Sequence, residues 1–205
     1  MKKIIFESSI FLHQSLGGIS KYICNINKEL QKLDINSTIF SPISINDNLE
    51  ISKNYNIVYC KLKKIPKFFT KIFYFINNLA TIIYIKINKP DIIHFSYYNN
   101  YLLRFINIPY VVTVHDLISE KMNYNEKKFN KRELINKASH IICVSKETKK
   151  DLIKFYKTDI KKITVIYEGT DHNLPLQKKN NYILFVGSRS RYKNFSNFIK
   201  AFSQS

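Results

Sequence analysis

Short apolar runs alternate along most of this chain with longer segments whose apolar residues recur every three or four positions. The runs are Lys3–Glu7, Ser37–Phe40, Ile57–Cys60, Asp91–Phe95, Tyr110–Val114, His140–Val144 and Lys162–Ile166. The helical candidates between them are Ile19–Leu33, Phe69–Asn88, Lys127–Lys137 and Lys146–Tyr156. Runs built almost wholly of Ile, Val, Tyr and Phe are buried on both faces, so the pattern predicts an α/β fold with a parallel sheet and helices on each side. Pro90 and Pro109 precede two of the runs, where proline is tolerated, and Ser145 is placed to cap the helix that follows it. Residues 168–181 are polar, contain Pro175 and read as a linker. Beyond it come a buried-strand pattern at Tyr182–Val186, a turn at Gly187, a basic loop with Arg189, Arg191 and Lys193, and an amphipathic helix starting near Asn194. Such a unit opens a second α/β domain without completing it. The expected organisation is a first domain over 1–168, a linker over 169–181, and the first strand, loop and helix of a second domain over 182–205.

Composition changes this picture only modestly. A length of 205 residues with 45% hydrophobic content suits one domain and a fragment of another. Ile, Lys and Asn are abundant and glycine is scarce, a general bias that accounts for much of the lysine excess. The net charge of +18 still favours anionic partners: phosphates, nucleic acid or acidic lipid head groups. No RNA-recognition signature, zinc-finger spacing or helix-turn-helix pattern accompanies the charge, so no specific nucleic acid is expected. Cys24, Cys60 and Cys143 are far apart and read as reduced, small hydrophobic residues. The apolar start is too short for a signal peptide and Glu7 interrupts it, so it reads as the first strand of a cytoplasmic protein. Residues 68–87 are interrupted by Lys71, Asn77, Asn78 and Lys86 and make a poor spanning helix. They suit a helix packed on the sheet, or one that partly faces lipid with Phe68, Phe69, Phe73 and Tyr74 near the interface.

Ligands of open parallel sheets bind beyond the carboxyl ends of the strands, and the unusual residues gather there. Gly17-Gly18-Ile19-Ser20-Lys21-Tyr22 joins the first strand to the first long helix. Adjacent glycines allow close backbone approach, and a helix start offers free N–H groups to a phosphate; a simple turn is the alternative. The segment matches neither a Walker loop nor Gly-x-Gly-x-x-Gly. His115-Asp116 ends the run Tyr110–Val114, where a histidine can donate to a sugar hydroxyl or a leaving-group oxygen, or simply be satisfied by Asp116 or backbone. His94, within an apolar run, reads as structural, and His13, His140 and His172 share no metal-ligand spacing, so no metal is expected. No nucleophile elbow is present. Arg189, Arg191 and Lys193 can clamp a diphosphate or form a solvated basic turn.

Together these segments resemble the retaining, nucleotide-sugar-dependent glycosyltransferases of the two-domain GT-B type, in particular glycosyltransferase family 4. The likeness is carried in order by Gly17–Tyr22, Asp91–Ser96, Val112–Asp116, Ile142–Thr148 with Asp151-Leu152, Ile163–Asp171, and Leu184–Arg189 through Tyr192–Phe195. The resemblance implies a Rossmann-like first domain that binds the acceptor. It implies that Gly17 and Gly18 approach the donor's diphosphate or sugar, that His115 contacts the transferred sugar, and that Arg189 and Lys193 hold the diphosphate. It implies transfer of a hexose, with mannose as a candidate, from a nucleotide diphosphate sugar to a glycan or lipid-linked acceptor, without a further cofactor. The expected location is cytoplasmic, with peripheral contact at the inner face of an anionic membrane as an option the charge leaves open. The family's second domain carries paired glutamates separated by seven residues that read the sugar and ribose. No such segment follows residue 205 here, so a truncated or split gene and little or no transfer by this chain alone are expected. The alternative from another class is a non-catalytic module that docks on anionic membrane or on a partner subunit.

Overall fold

A computed structural model of the chain describes residues 2–122, 131–169, 181–187, 189 and 193–204. It divides into two compact units, Met1–Gly169 and Thr170–Ser205. The first is built on a seven-stranded sheet in the order β3-β2-β1-β4-β5-β6-β7. The strands are β1 (Lys3–Phe6), β2 (Asn36–Ser44), β3 (Ile57–Lys61), β4 (Ile92–Phe95), β5 (Tyr110–Val114), β6 (His140–Cys143) and β7 (Ile163–Val165). Every neighbouring pair is parallel. The helices are α1 (Ser9–His13), α2 (Gly18–Lys32), α3 (Asp47–Ile51), α4 (Thr70–Asn88), α5 (Ile118–Lys121), α6 (Lys131–Lys137) and α7 (Lys146–Tyr156).

The central strands are buried as the unbroken apolar runs require: Ile5, Ile93, Val112, Val114 and Ile141 lie in the core. The edge strand β3 departs from the expectation of two buried faces: half-buried and exposed residues alternate along it, so one of its faces is left open. α2 buries Ser20, Ile23, Cys24 and Asn27, one stripe at helical spacing. α7 starts where its cap predicts, with the Ser145 side chain accepting from Thr148 N–H at 3.0 Å. Burial pushes the Cys24 and Cys143 thiols up to about 11, in keeping with small apolar side chains, whereas Cys60 is exposed.

α4 packs in an unexpected sense. It buries Asn77, Asn78, Thr81, Ile82 and Ile85. The pairing of β2 with β3 shifts between Ser41 and Ile43, around Pro42, and this frees backbone groups of Ile43. Asn77 satisfies both: its Oδ1 accepts from Ile43 N–H at 2.9 Å and its Nδ2 donates to Ile43 O at 2.8 Å. Asn78 Oδ1 accepts from Asn99 Nδ2 at 2.7 Å. The asparagines that interrupt the apolar run therefore face the sheet.

Of the helix expected over Lys127–Lys137, Lys131–Lys137 is α6, and residues 127–130 lie outside the described residues. One expectation is corrected. Tyr182–Val186 is not a strand, since no sheet among the described residues offers it a ladder. In the second unit the described element is α8 (Phe195–Ser203), and Phe185 sits 4.9 Å from Phe195 and 5.3 Å from Phe198 between ring centroids.

Candidate functional site

The strand order reverses between β1 and β4: the chain runs outward from β1 through β2 and β3, then returns to β4 and continues outward to β7. The crevice at the carboxyl ends of these two strands is where ligands of such sheets bind. Glu7, the residue after β1, is fully buried there. Its Oε2 accepts from Ser9 N–H at 2.9 Å and Ser9 Oγ at 2.6 Å. Its Oε1 accepts from Ser96 N–H at 2.8 Å, Ser96 Oγ at 2.7 Å and Tyr97 N–H at 3.2 Å. Ser96 Oγ in turn accepts from Ile10 N–H at 3.1 Å. One carboxylate thus stitches the loop after β1 to the loop after β4. Burial pushes the Glu7 carboxyl above the ordinary value, and its Ser9, Ser96 and Tyr97 donors pull it back. Sequence reasoning missed this residue, because its partners on β4's loop are 89 and 90 positions away.

The glycine pair opens α2. Gly17 is the residue before the helix, with extended backbone, and brings no capping side chain to the first N–H groups. Its carbonyl accepts from Lys21 N–H at 3.1 Å, Ser20 Oγ at 3.0 Å and Asn48 Nδ2 at 3.1 Å. A Cβ on Gly17 would overlap the Gln14 side chain, whereas a Cβ on Gly18 would meet nothing within 4 Å. Gly18 therefore borders open space, and no neighbouring atom in the fold explains why it lacks a side chain.

His115, directly after β5, stands beside the same helix: the Tyr22 ring meets it edge-on, with centroids 5.0 Å apart. His115 Nδ1 lies 2.8 Å from Glu168 Oε1. A carboxylate only accepts, so Nδ1 carries the hydrogen and the neutral ring keeps Nε2 bare. Nε2 is buried without a partner among the described residues. Burial lowers the His115 pKa, and Glu168 and Asp116 oppose that shift without reversing it. At neutral pH the ring is therefore an acceptor at Nε2, and the donation expected from the sequence requires a second proton. The satisfying partner is Glu168; Asp116 instead accepts from Ile118 N–H at 3.1 Å.

The adjoining elements hold this histidine in place. Thr148 Oγ1, in the first turn of α7, donates to His115 O at 3.2 Å. Behind the ring, Tyr22 OH and Thr113 Oγ1 are 3.5 Å apart, and Thr113 Oγ1 lies 2.9 Å from His94 Nε2. His94 is buried, and burial followed by the nearby His115 lowers its pKa to about 4, the behaviour of a structural neutral imidazole. Segments 17–22, 112–116, 145–148 and Glu168 thus meet at the carboxyl edge of the sheet. Glu168 was also missed, because the sequence places it in an apparent linker 53 positions from its partner.

Arg189 and Lys193 belong to the second unit. The Arg189 guanidinium lies over the Phe195 ring, 5.2 Å from its centroid. The Lys193 stem passes 3.7 Å from the point where Gly187, at φ +132°, would carry a Cβ. That backbone angle favours glycine. Arg191 lies outside the described residues. Among the described residues no group of three or more His, Cys, Asp or Glu side chains is arranged to hold a metal ion.

Known proteins resemble this chain in sequence and in fold. The sequence profile of Glycosyltransferase Family 4 matches residues 16–174. Over 99 residues the chain is 31% identical to the O-antigen chain mannosyltransferase RfbU of Salmonella typhimurium, a match covering 43% of this chain and 27% of that protein. The crystal structure of Anabaena HepE in complex with UDP and glucose superposes with a TM-score of 0.57 at 16% identity, over 83% of this chain and 45% of that one. Sucrose-phosphate synthase from Thermosynechococcus elongatus gives a TM-score of 0.58 at 16% identity, over 83% and 49% of the two chains. At these identities the structural likeness establishes the fold. The chain spans about half the length of these structures, and its alignment with RfbU covers about a quarter of that protein.

Proposed function

The chain belongs to Glycosyltransferase Family 4, and from that premise we propose that its first unit is the acceptor-side half of an enzyme that transfers a hexose from a nucleotide diphosphate sugar to a glycan or lipid-linked acceptor, with the anomeric configuration retained. Residues 182–205 then open the donor-binding domain, and Arg189 and Lys193 hold the diphosphate. Gly17 and Gly18 approach the donor, and His115 contacts the transferred sugar by accepting a hydroxyl hydrogen. Likeness to a mannosyltransferase supports mannose as the sugar. A fold relative bound to UDP and glucose supports a nucleotide sugar as the donor. Catalysis in this reading rests on positioning and on stabilising the departing diphosphate.

The observation that carries the reading is the uncapped, open-sided start of α2 at Gly18, next to a histidine oriented by a carboxylate. It is tested with Gly18→Ala. The added methyl meets no atom of the fold, so stability is held or rises by about 0.5 kcal/mol. The same methyl would intrude on a bound donor. GDP-mannose and UDP-glucose are titrated into the protein while the His115 ring signals are followed by NMR. A shift with a nucleotide sugar that weakens about tenfold or more in the stable Gly18→Ala variant supports the reading. No response of the His115 ring to either nucleotide sugar, or an undiminished response in the stable Gly18→Ala variant, overturns it.

A further inference from the structure

α4 differs from an ordinary surface helix in being apolar on its outer side. The side turned to the sheet carries Asn77, Asn78 and Thr81 together with Ile82 and Ile85, whereas Ile72, Phe75, Ile76, Leu79, Ile83 and Ile87 are exposed. At 100° per residue these six fall within one third of the helix circumference. The stripe begins before the helix with Phe68 and Phe69, whose rings meet edge-on at 5.4 Å, and Phe68 is 86% exposed. It widens sideways through Tyr101, 6.5 Å from Phe75, and Phe105, 5.3 Å from Tyr101. A contiguous apolar surface of this size needs a covering partner.

Charge identifies the partner. From Ile51 to Pro90 the chain contains no Asp or Glu but has lysine at 53, 61, 63, 64, 67, 71, 86 and 89. Lys63, Lys64 and Lys71 at one end and Lys86 and Lys89 at the other are exposed beside the stripe. An apolar face about 28 Å long with cations at both ends and no anion suits a helix lying in the plane of an anionic lipid surface. Among the described residues no helix is long and apolar enough to cross a membrane. We propose that the outer face of α4, with Phe68 and Phe69 leading, seats this protein on the surface of an anionic membrane. The sequence-based version of this idea placed Phe73 and Tyr74 at the interface too. Both are half-buried, and Tyr74 OH lies 3.5 Å from Ser9 O, so they belong to the protein side.

The chain contains no tryptophan, so Phe75→Trp supplies a single fluorescent reporter on the stripe. With phosphatidylglycerol vesicles its emission moves to the blue and is quenched by brominated lipid; with phosphatidylcholine vesicles the response is small and salt does not alter it. Ile72→Ser, Leu79→Ser and Ile83→Ser combined lower partitioning about a hundredfold while the melting temperature holds, because all three side chains are exposed in the free protein. Lys63→Glu, Lys64→Glu and Lys71→Glu remove the preference for the anionic lipid. The proposal is overturned if the protein ignores phosphatidylglycerol vesicles or if the triple serine variant binds them undiminished. It is also overturned if sedimentation without lipid reveals a dimer that the serine variant dissociates, since a second copy would then cover the face. The assay uses no sugar nucleotide, so its outcome is independent of the transferase reading.

Discussion

Tyr110–Val114 and Tyr182–Val186 are similar in pattern: each opens on tyrosine and ends on valine, with β-favouring residues between, Val-Val-Thr in one and Ile-Leu-Phe in the other. The first is β5, hydrogen-bonded on one side to β4 and on the other to β6, with Val112 and Val114 completely buried. The second forms no ladder, and Leu184 is 70% exposed. Apolar, β-favouring side chains make a strand acceptable, but a strand exists only where backbone N–H and C=O groups find neighbours. The difference lies in what surrounds each peptide.

The largest effect that can break this comparison is a matched pair of charges. Val112→Asp buries an unpaired carboxylate and lowers unfolding stability by about 4 kcal/mol or abolishes folding. Leu184→Asp changes it by less than about 0.5 kcal/mol. Urea unfolding of both variants decides, and a large loss at Leu184 would show that the second run is captured after all.

Next comes the pH dependence of β4, the strand that flanks β5. His94 is held neutral with its pKa lowered from 6.5 to about 4. A depressed folded value means that the unfolded chain takes up its proton first. Stability present above pH 6.5 is therefore lost as pH falls through the interval down to about 4, by about 3 kcal/mol in total. His94→Asn removes this component from the stability profile measured against pH, so an unchanged profile would contradict it. Glu7→Gln then loosens the link between the β1 and β4 loops, because an amide nitrogen must face donors. The expected cost is about 2 kcal/mol in denaturant unfolding, with faster hydrogen exchange at Ser96 and Tyr97. The smallest effect is Ser145→Ala, which removes the cap of the helix following β6 and costs about 1 kcal/mol.

Much of this molecule was legible before folding. The run Tyr110–Val114 and the helix Lys146–Tyr156 have the bounds their patterns predict, because each is a regular element closed by a clear signal: Pro109 before one and Ser145 before the other. The short helices Ser9–His13, Asp47–Ile51 and Ile118–Lys121 were not legible, since one turn is too little to show a period. Gly17, Gly18 and His115 stood out by type and by position at strand ends. Glu7 and Glu168 did not, since a lone glutamate at the end of a strand or in a polar loop carries no pattern. Their importance comes from Ser96 and His115, which the fold delivers to them.

The sequence by itself determined a parallel α/β sheet with helices around it, the family, and the edge at which its unusual residues gather. Those properties follow from periodicity and local chemistry, which are encoded within a few residues of one another. Only the tertiary structure decided that Glu7 bridges the reversal of strand order, and that Glu168 makes His115 an acceptor. It also decided that the asparagines of α4 face inward beside Ile82 and Ile85 while a stripe of its other apolar side chains faces out. Each of these depends on partners brought together from distant parts of the chain, and burial, charge and hydrogen bonding act through space.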